Sequence, residues 1–124
     1  MHRSGDVLVV DDEANIVDLI AEVLHEEGYQ VRRAHDGKSA LATLGDSIPS
    51  MILLDMSMPD MIGTTLLQRI RDGGMMDLPV IIMTAGAHSP EALVAQGATG
   101  YLAKPFDLDD LLNCVARYSK TTAY

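Results

Sequence analysis

The sequence predicts an α/β domain built on a doubly wound parallel sheet. Short apolar runs alternate with segments of helical period along the chain, five of each. The stronger runs are apolar throughout rather than at every second position, as strands buried on both faces of a parallel sheet require. Polar residues follow directly after several runs, at the edge of the sheet where α/β domains bind their ligands.

The first run, Asp6-Val7-Leu8-Val9-Val10, ends in acids. Ile16, Leu19, Ile20, Val23 and Leu24 follow at steps of three and four, one face of a helix closed by Gly28 at C′. Gln30 to Ala34 reads as a weaker strand near a sheet edge, and Lys38 to Leu44 as a short helix stopped by Gly45. Met51-Ile52-Leu53-Leu54 is a second fully apolar strand, ending at Asp55. Thr65 to Arg71 is helical, with Gly73-Gly74 as its breaker. Leu78 to Met83, with Pro79 near its start, forms the next strand and ends at Thr84. Glu91 to Gln96 is a short helix before Gly97, and Tyr101-Leu102-Ala103 is the last strand, ending at Lys104-Pro105. Asp107 then caps a helix with Leu108, Leu111, Leu112 and Val115 on one side.

The 124 residues suffice for one domain, read here as 1–124 without an internal linker. Aromatic residues are only 4% of the chain, so the core must be aliphatic. The net charge of −9, with no basic stripe, argues against direct nucleic-acid binding and against anionic membranes. No stretch approaches the length of a membrane span or a signal peptide, which points to a cytoplasmic chain. Cys114 is the one cysteine, so no disulfide framework exists, and its setting on a helix face suits a reduced thiol acting as a small hydrophobe. His2, His25, His35 and His88 are scattered and read as surface residues.

The chemistry collects at the carboxyl ends of the strands. Asp11 and Asp12 follow the first, Asp55 the third, Thr84 the fourth and Lys104 the fifth. Taken singly, Asp11 and Asp12 suit the start of a helix, Thr84 a turn and Lys104 a solvated surface. Together they place three carboxylates, a hydroxyl and an ammonium at one sheet edge. Carboxylates so close repel each other unless a cation lies among them. Magnesium, a hard ion that takes oxygen ligands, fits this set better than zinc or copper. A carboxylate beside such an ion can act as a nucleophile toward a phosphoryl group, with the ion, Lys104 and Thr84 holding its oxygens.

Four motifs now carry a resemblance: Val9-Val10-Asp11-Asp12-Glu13, Leu54-Asp55-Met56-Ser57-Met58-Pro59 with Gly63, Met83-Thr84-Ala85, and Tyr101-Leu102-Ala103-Lys104-Pro105-Phe106. In this order they resemble the receiver domains of two-component response regulators over nearly the whole chain. The resemblance implies a flavodoxin-like sheet of order 2-1-3-4-5 in an α/β/α sandwich. It implies Asp55 as phosphoacceptor, served by a sensor histidine kinase or a histidine phosphotransfer protein. It implies Asp11 and Asp12 as the acids that hold Mg2+, Asp12 more directly, with Asp55 and the Ser57 backbone carbonyl completing the protein's share. Thr84 becomes the hydroxyl that moves toward the phosphoryl group, Tyr101 the aromatic that changes rotamer, and Lys104 the lysine that pairs with a phosphoryl oxygen. Lys104-Pro105 is expected to be cis. The output is expected through a downstream effector protein or domain, read from the surface of the fourth helix, fifth strand and fifth helix, in a monomer or a phosphorylation-dependent homodimer.

Two departures from the family's common pattern stand out. The stretch from Thr84 to Lys104 is a little short, and Gly86, Ser89-Pro90 and Gly97 also predict a short fourth helix. Ser57 and Gly86, two positions past Asp55 and Thr84, supply no carboxylate or amide to position an attacking water, so no fast self-dephosphorylation is expected. Two other classes compete. An aspartyl-nucleophile phosphohydrolase would show Asp-x-Asp after its first strand and a cap insertion, whereas this chain has adjacent acids and no room for a cap. A receiver-like scaffold that binds partners without phosphorylation would have lost an acid or the lysine.

Overall fold

The computed structural model describes residues 6–86 and 89–119. Five strands, β1 (Asp6–Val10), β2 (Gln30–Ala34), β3 (Met51–Asp55), β4 (Val80–Thr84) and β5 (Gly100–Ala103), alternate with five helices. The helices are α1 (Ala14–Glu26), α2 (Gly37–Asp46), α3 (Gly63–Asp72), α4 (Pro90–Ala95) and α5 (Leu108–Tyr118). The sheet order is β2-β1-β3-β4-β5, all parallel. Every residue of β1, β3 and β4 is buried, as their unbroken apolar runs predict.

Successive strand residues point to opposite faces, and each face has its own core. Leu8, Val10, Ile52, Leu54, Val80 and Ile82 pack with Leu44 of α2, Leu66 and Ile70 of α3 and Leu93 of α4. Val7, Val9, Met51, Leu53, Ile81 and Met83 pack with Ile20 and Leu24 of α1 and Leu111 and Val115 of α5. Burying each such side chain contributes about 1.5–3 kcal/mol. The two cores clamp the central strands, so the residues that follow them are held on a rigid edge.

The caps follow sequence logic in most places. Gly28 adopts φ +92°, the left-handed conformation that ends α1, and Gly97 does the same after α4 at +106°. Asp107 caps α5 through the Asp110 amide. Ser89 caps α4, and Pro90 opens it, so α4 is confined to six residues as the breakers predict. The Lys104-Pro105 peptide is cis, as expected.

Several boundaries differ from the sequence reading. Gly45 does not stop α2: it keeps helical backbone, and the helix ends at Asp46. α3 starts two residues early, at Gly63, where the amide donates to the Met56 carbonyl at 2.7 Å. β4 starts at Val80, because the Val80 amide is turned to the Thr99 hydroxyl at 3.0 Å. Leu19 and Leu108 are about half exposed and lie off the packed faces of α1 and α5. His25 and His35 are exposed as expected, while His2 and His88 lie outside the described residues.

Two arginines, Arg32 half-buried and Arg71 buried, brace the amino-terminal end of the sheet. Arg32 pairs with Asp6 and donates to the Thr43 and Ser47 carbonyls at the end of α2. Arg71 reaches from α3 to the carbonyls of Met75, Leu78 and Gly97.

Candidate functional site

The site lies at the carboxyl ends of β1, β3, β4 and β5. Parallel pairing sets Asp55 beside Met83 and Thr84 beside Ala103, so the residues that end these strands arrive at one level. The Asp11 amide extends the ladder by donating to the Ala34 carbonyl at 3.1 Å, which pins the turn after β1. Backbone bonds continue past the other strand ends: the Met56 amide donates to the Met83 carbonyl at 3.1 Å, and the Lys104 amide to the Thr84 carbonyl at 2.8 Å.

Asp11 is fully buried, Asp55 is 8% exposed and Asp12 is open to solvent. One carboxylate oxygen from each lies within 4.8 Å of the others. Lys104 Nζ donates to Asp11 Oδ2 and to Asp55 Oδ1, both at 2.9 Å. Its ammonium thus offsets part of the repulsion among the acids. Asp11 does not cap α1, whose N-cap is Glu13 without a side-chain bond. Instead Asp11 Oδ1 accepts from the Glu13 amide at 3.0 Å, which fixes the turn while Oδ2 faces Lys104.

Burial pushes the Asp55 carboxyl above its ordinary value, and the charges of Asp11 and Asp12 add to this, against the opposing hydrogen bond from Lys104. For Lys104 burial disfavours the ammonium, but the hydrogen bonds and charges of Asp55 and Asp11 outweigh it and hold the group above its usual pKa. Lys104 is therefore a fixed cation at neutral pH.

An open cavity of about 500 Å³ fronts these groups, lined by Asp12, Asp55, Ser57, Thr84, Gly86 and Lys104. Glu13 also faces it, a contribution that its place in the motif did not reveal. Thr84 is buried, and its Oγ1 accepts from the Gly86 amide at 3.2 Å. Tyr101 is 47% exposed, in an outward position away from the cavity. The structure thus brings together Asp11, Asp12, Asp55, Ser57, Thr84 and Lys104, and leaves Tyr101 on the neighbouring surface.

The donor set is all oxygen, with three carboxylates converging. That set could hold a metal ion and suits a hard divalent one. Every buried side-chain polar atom among the described residues has a partner.

The family model of the response regulator receiver domain matches residues 7–116. The chain belongs to the response regulator receiver family. This receiver is 34% identical to the receiver domain of NtrX from Brucella abortus, with a TM-score of 0.86 over 94% of this chain and 100% of that one. It is 37% identical over 116 residues to sporulation initiation phosphotransferase F of Bacillus subtilis, covering 90% of this chain and 91% of that protein. It is 35% identical over 108 residues to transcriptional regulatory protein TrcR of Mycobacterium tuberculosis, 86% of this chain but only 42% of TrcR. The receiver thus spans less than half the length of that regulator. No helix among its described residues is long and apolar enough to cross a membrane.

Proposed function

We propose that this receiver accepts a phosphoryl group on Asp55 from a sensor histidine kinase or a histidine phosphotransfer protein, in a Mg2+-dependent reaction. The observation that carries the proposal is the Lys104 ammonium placed 2.9 Å from both Asp11 and Asp55 at the mouth of the cavity.

The residues divide the work. Asp11, Asp12 and Asp55, with the Ser57 carbonyl, would hold Mg2+. When bound, the ion supplies positive charge against the phosphoryl oxygens. Asp55 attacks phosphorus through a carboxylate oxygen, and the bond to the leaving group breaks as the new O–P bond forms. Lys104 favours the ionised form of Asp55 against its burial before attack, and its ammonium then pairs with a phosphoryl oxygen. Thr84 is one step along β4 from the register partner of Asp55 and offers its hydroxyl to another oxygen. As Thr84 moves inward, Tyr101 gains room to leave its exposed position. This is a two-state element biased by a local charge.

The change would be read at the surface of α4, β5 and α5 by a downstream effector protein or domain, with the receiver acting as a monomer or a phosphorylation-dependent homodimer. The similarity to TrcR, named as a transcriptional regulator, favours an output in gene regulation. The receiver itself catalyses only its own phosphorylation and dephosphorylation, and a cytoplasmic setting follows from its kinase partner. Ser57 and Gly86 line the cavity and carry neither a carboxylate nor a side-chain amide that would position an attacking water, so the phosphoryl group is expected to outlast seconds.

The test is incubation with Mg2+ and acetyl phosphate, followed by mass spectrometry of the adduct. A hydroxylamine-sensitive gain of one phosphoryl group, absent in Asp55→Asn and without Mg2+, supports the proposal. No adduct, or an undiminished adduct in Asp55→Asn, overturns it.

A further inference from the structure

Asp60 was not singled out by the sequence motifs, yet it ties the loop that carries Ser57 to a distant helix. The loop between β3 and α3 is closed at its base by the bridge between Ser57 and Ile62 and by the Gly63 amide donating to the Met56 carbonyl. At its tip, Asp60 Oδ1 accepts from the Gly37 amide at 2.9 Å and Oδ2 from the Lys38 amide at 3.0 Å. These are the first two helical amides of α2, which have no partner within the helix. The next one, of Ser39, is taken by the N-cap Asp36 at 2.7 Å. A carboxylate over two amides at a positive helix end is a strong contact, favoured by hydrogen bonding and by the dipole together.

Two apolar contacts hold the same tip. Met58 is buried in the core, and Met61 lies over Gly37 so closely that a Cβ there would stand 2.4 Å from its Sδ. The tip is therefore fixed by Met58, Asp60 and Met61, and the base by backbone bonds. Ser57 is itself a member of the bridge at the base and lines the cavity, directly before the buried Met58.

We infer that Asp60 is a positioning residue for the metal site: by clamping the Gly37 and Lys38 amides it holds the Ser57 segment in the conformation that presents its carbonyl, and it couples metal occupancy to the start of α2. This rests on the reading that the site takes Mg2+. The coupling must run both ways, because linkage between two binding events is reciprocal. Losing the clamp weakens Mg2+ binding, and bound Mg2+ tightens the clamp.

Calorimetric Mg2+ titration of the whole chain, with amide hydrogen exchange of α2, tests the inference. Asp36→Ala is the control, because it removes the local cap of α2 without touching the loop. Asp60→Ala is expected to raise the Mg2+ dissociation constant about 5- to 10-fold, and Asp36→Ala less than about twofold. Asp60→Asn keeps one acceptor and should fall between wild type and Asp60→Ala. In wild type, Mg2+ should slow exchange at Gly37 and Lys38, and this response should vanish in Asp60→Ala. Equal Mg2+ affinity in wild type and Asp60→Ala overturns the inference, as does an equal loss in Asp60→Ala and Asp36→Ala, which would make Asp60 an ordinary helix cap. A wild-type chain that binds no Mg2+ overturns the magnesium reading itself and this inference with it.

Discussion

Replacing Gly63 by alanine adds one methyl group at the tightest backbone approach near the site. A Cβ on Gly63 would stand 2.6 Å from the Asp55 carbonyl oxygen and 3.1 Å from Met56 Cα. Both neighbours are backbone atoms at the end of β3, and neither can swing aside as a side chain would. Overpacking of this kind costs about 1–3 kcal/mol. Alanine returns up to about 1 kcal/mol through helix propensity, less at a first-turn position. The net expectation is a loss of about 1–2 kcal/mol, a fall of roughly 0.5–1 M in the urea midpoint for a small domain. Gly45→Ala makes the matching control. Gly45 is helical, exposed, and has nothing within 4 Å of where a Cβ would lie. The same change there should stabilise by about 0.4–1 kcal/mol. Equilibrium urea unfolding of both variants, followed by circular dichroism, gives the two signs. If Gly63→Ala is neutral or stabilising, the close approach of α3 to Asp55 does not constrain the chain and the reasoning fails.

Other expectations follow from the same structure. Lys104→Met removes the cation that neutralises Asp11 and Asp55, so Mg2+ should bind a few-fold tighter in calorimetry while phosphorylation by acetyl phosphate slows at least about tenfold; weaker Mg2+ binding would contradict the electrostatic account. Arg71→Ala strands the Met75, Leu78 and Gly97 carbonyls and should lower unfolding stability by about 3–4 kcal/mol. Arg71→Lys should recover only part of that, because one ammonium cannot span the carbonyls that the guanidinium fork reaches; full recovery in urea unfolding would refute the fork. Burial pushes the Cys114 thiol up to about 11. Its alkylation by iodoacetamide near pH 8 should therefore run at least about tenfold slower than that of a free thiol, whose pKa is about 8.5. Because the folded pKa is raised, the stability contributed by the neutral thiol is complete below the unfolded pKa and is lost as pH rises toward 11. A Cys114→Ala variant should lack this alkaline loss in pH-dependent unfolding.

Much of the candidate site was legible because its residues stand immediately after apolar runs. A buried parallel strand declares itself by composition, and the first polar residue after it must lie at the carboxyl edge. Asp11, Asp12, Asp55, Thr84 and Lys104 were located in this way, and the structure places all five there. Asp60 was not legible. It looks like one more loop acid after Pro59, and its partners are the backbone amides of Gly37 and Lys38, which no side-chain pattern announces. Arg71 read as the polar end of a helix, and only the carbonyls that surround it make it a brace. Gly45 was misread for a related reason. Glycine permits a left-handed stop but does not impose one, and α2 continues because its last turn is supported by packing of Leu44.

By itself, then, the sequence determined the class of fold, the order of elements and the residues that arrive at the functional edge. These depend on hydrophobic period and on local breakers, which act over a few residues. The tertiary structure decided which of those residues meet. Lys104 bonds to Asp11 across 93 positions and to Asp55 across 49, and only the parallel register of β1, β3, β4 and β5 sets those distances at 2.9 Å. It also decided that Asp11 and Asp55 are held by an internal cation, and that the carboxylate directly after Pro59 anchors the loop beside them. Long-range pairing follows from packing two cores against one sheet, and that is a property of the whole chain at once.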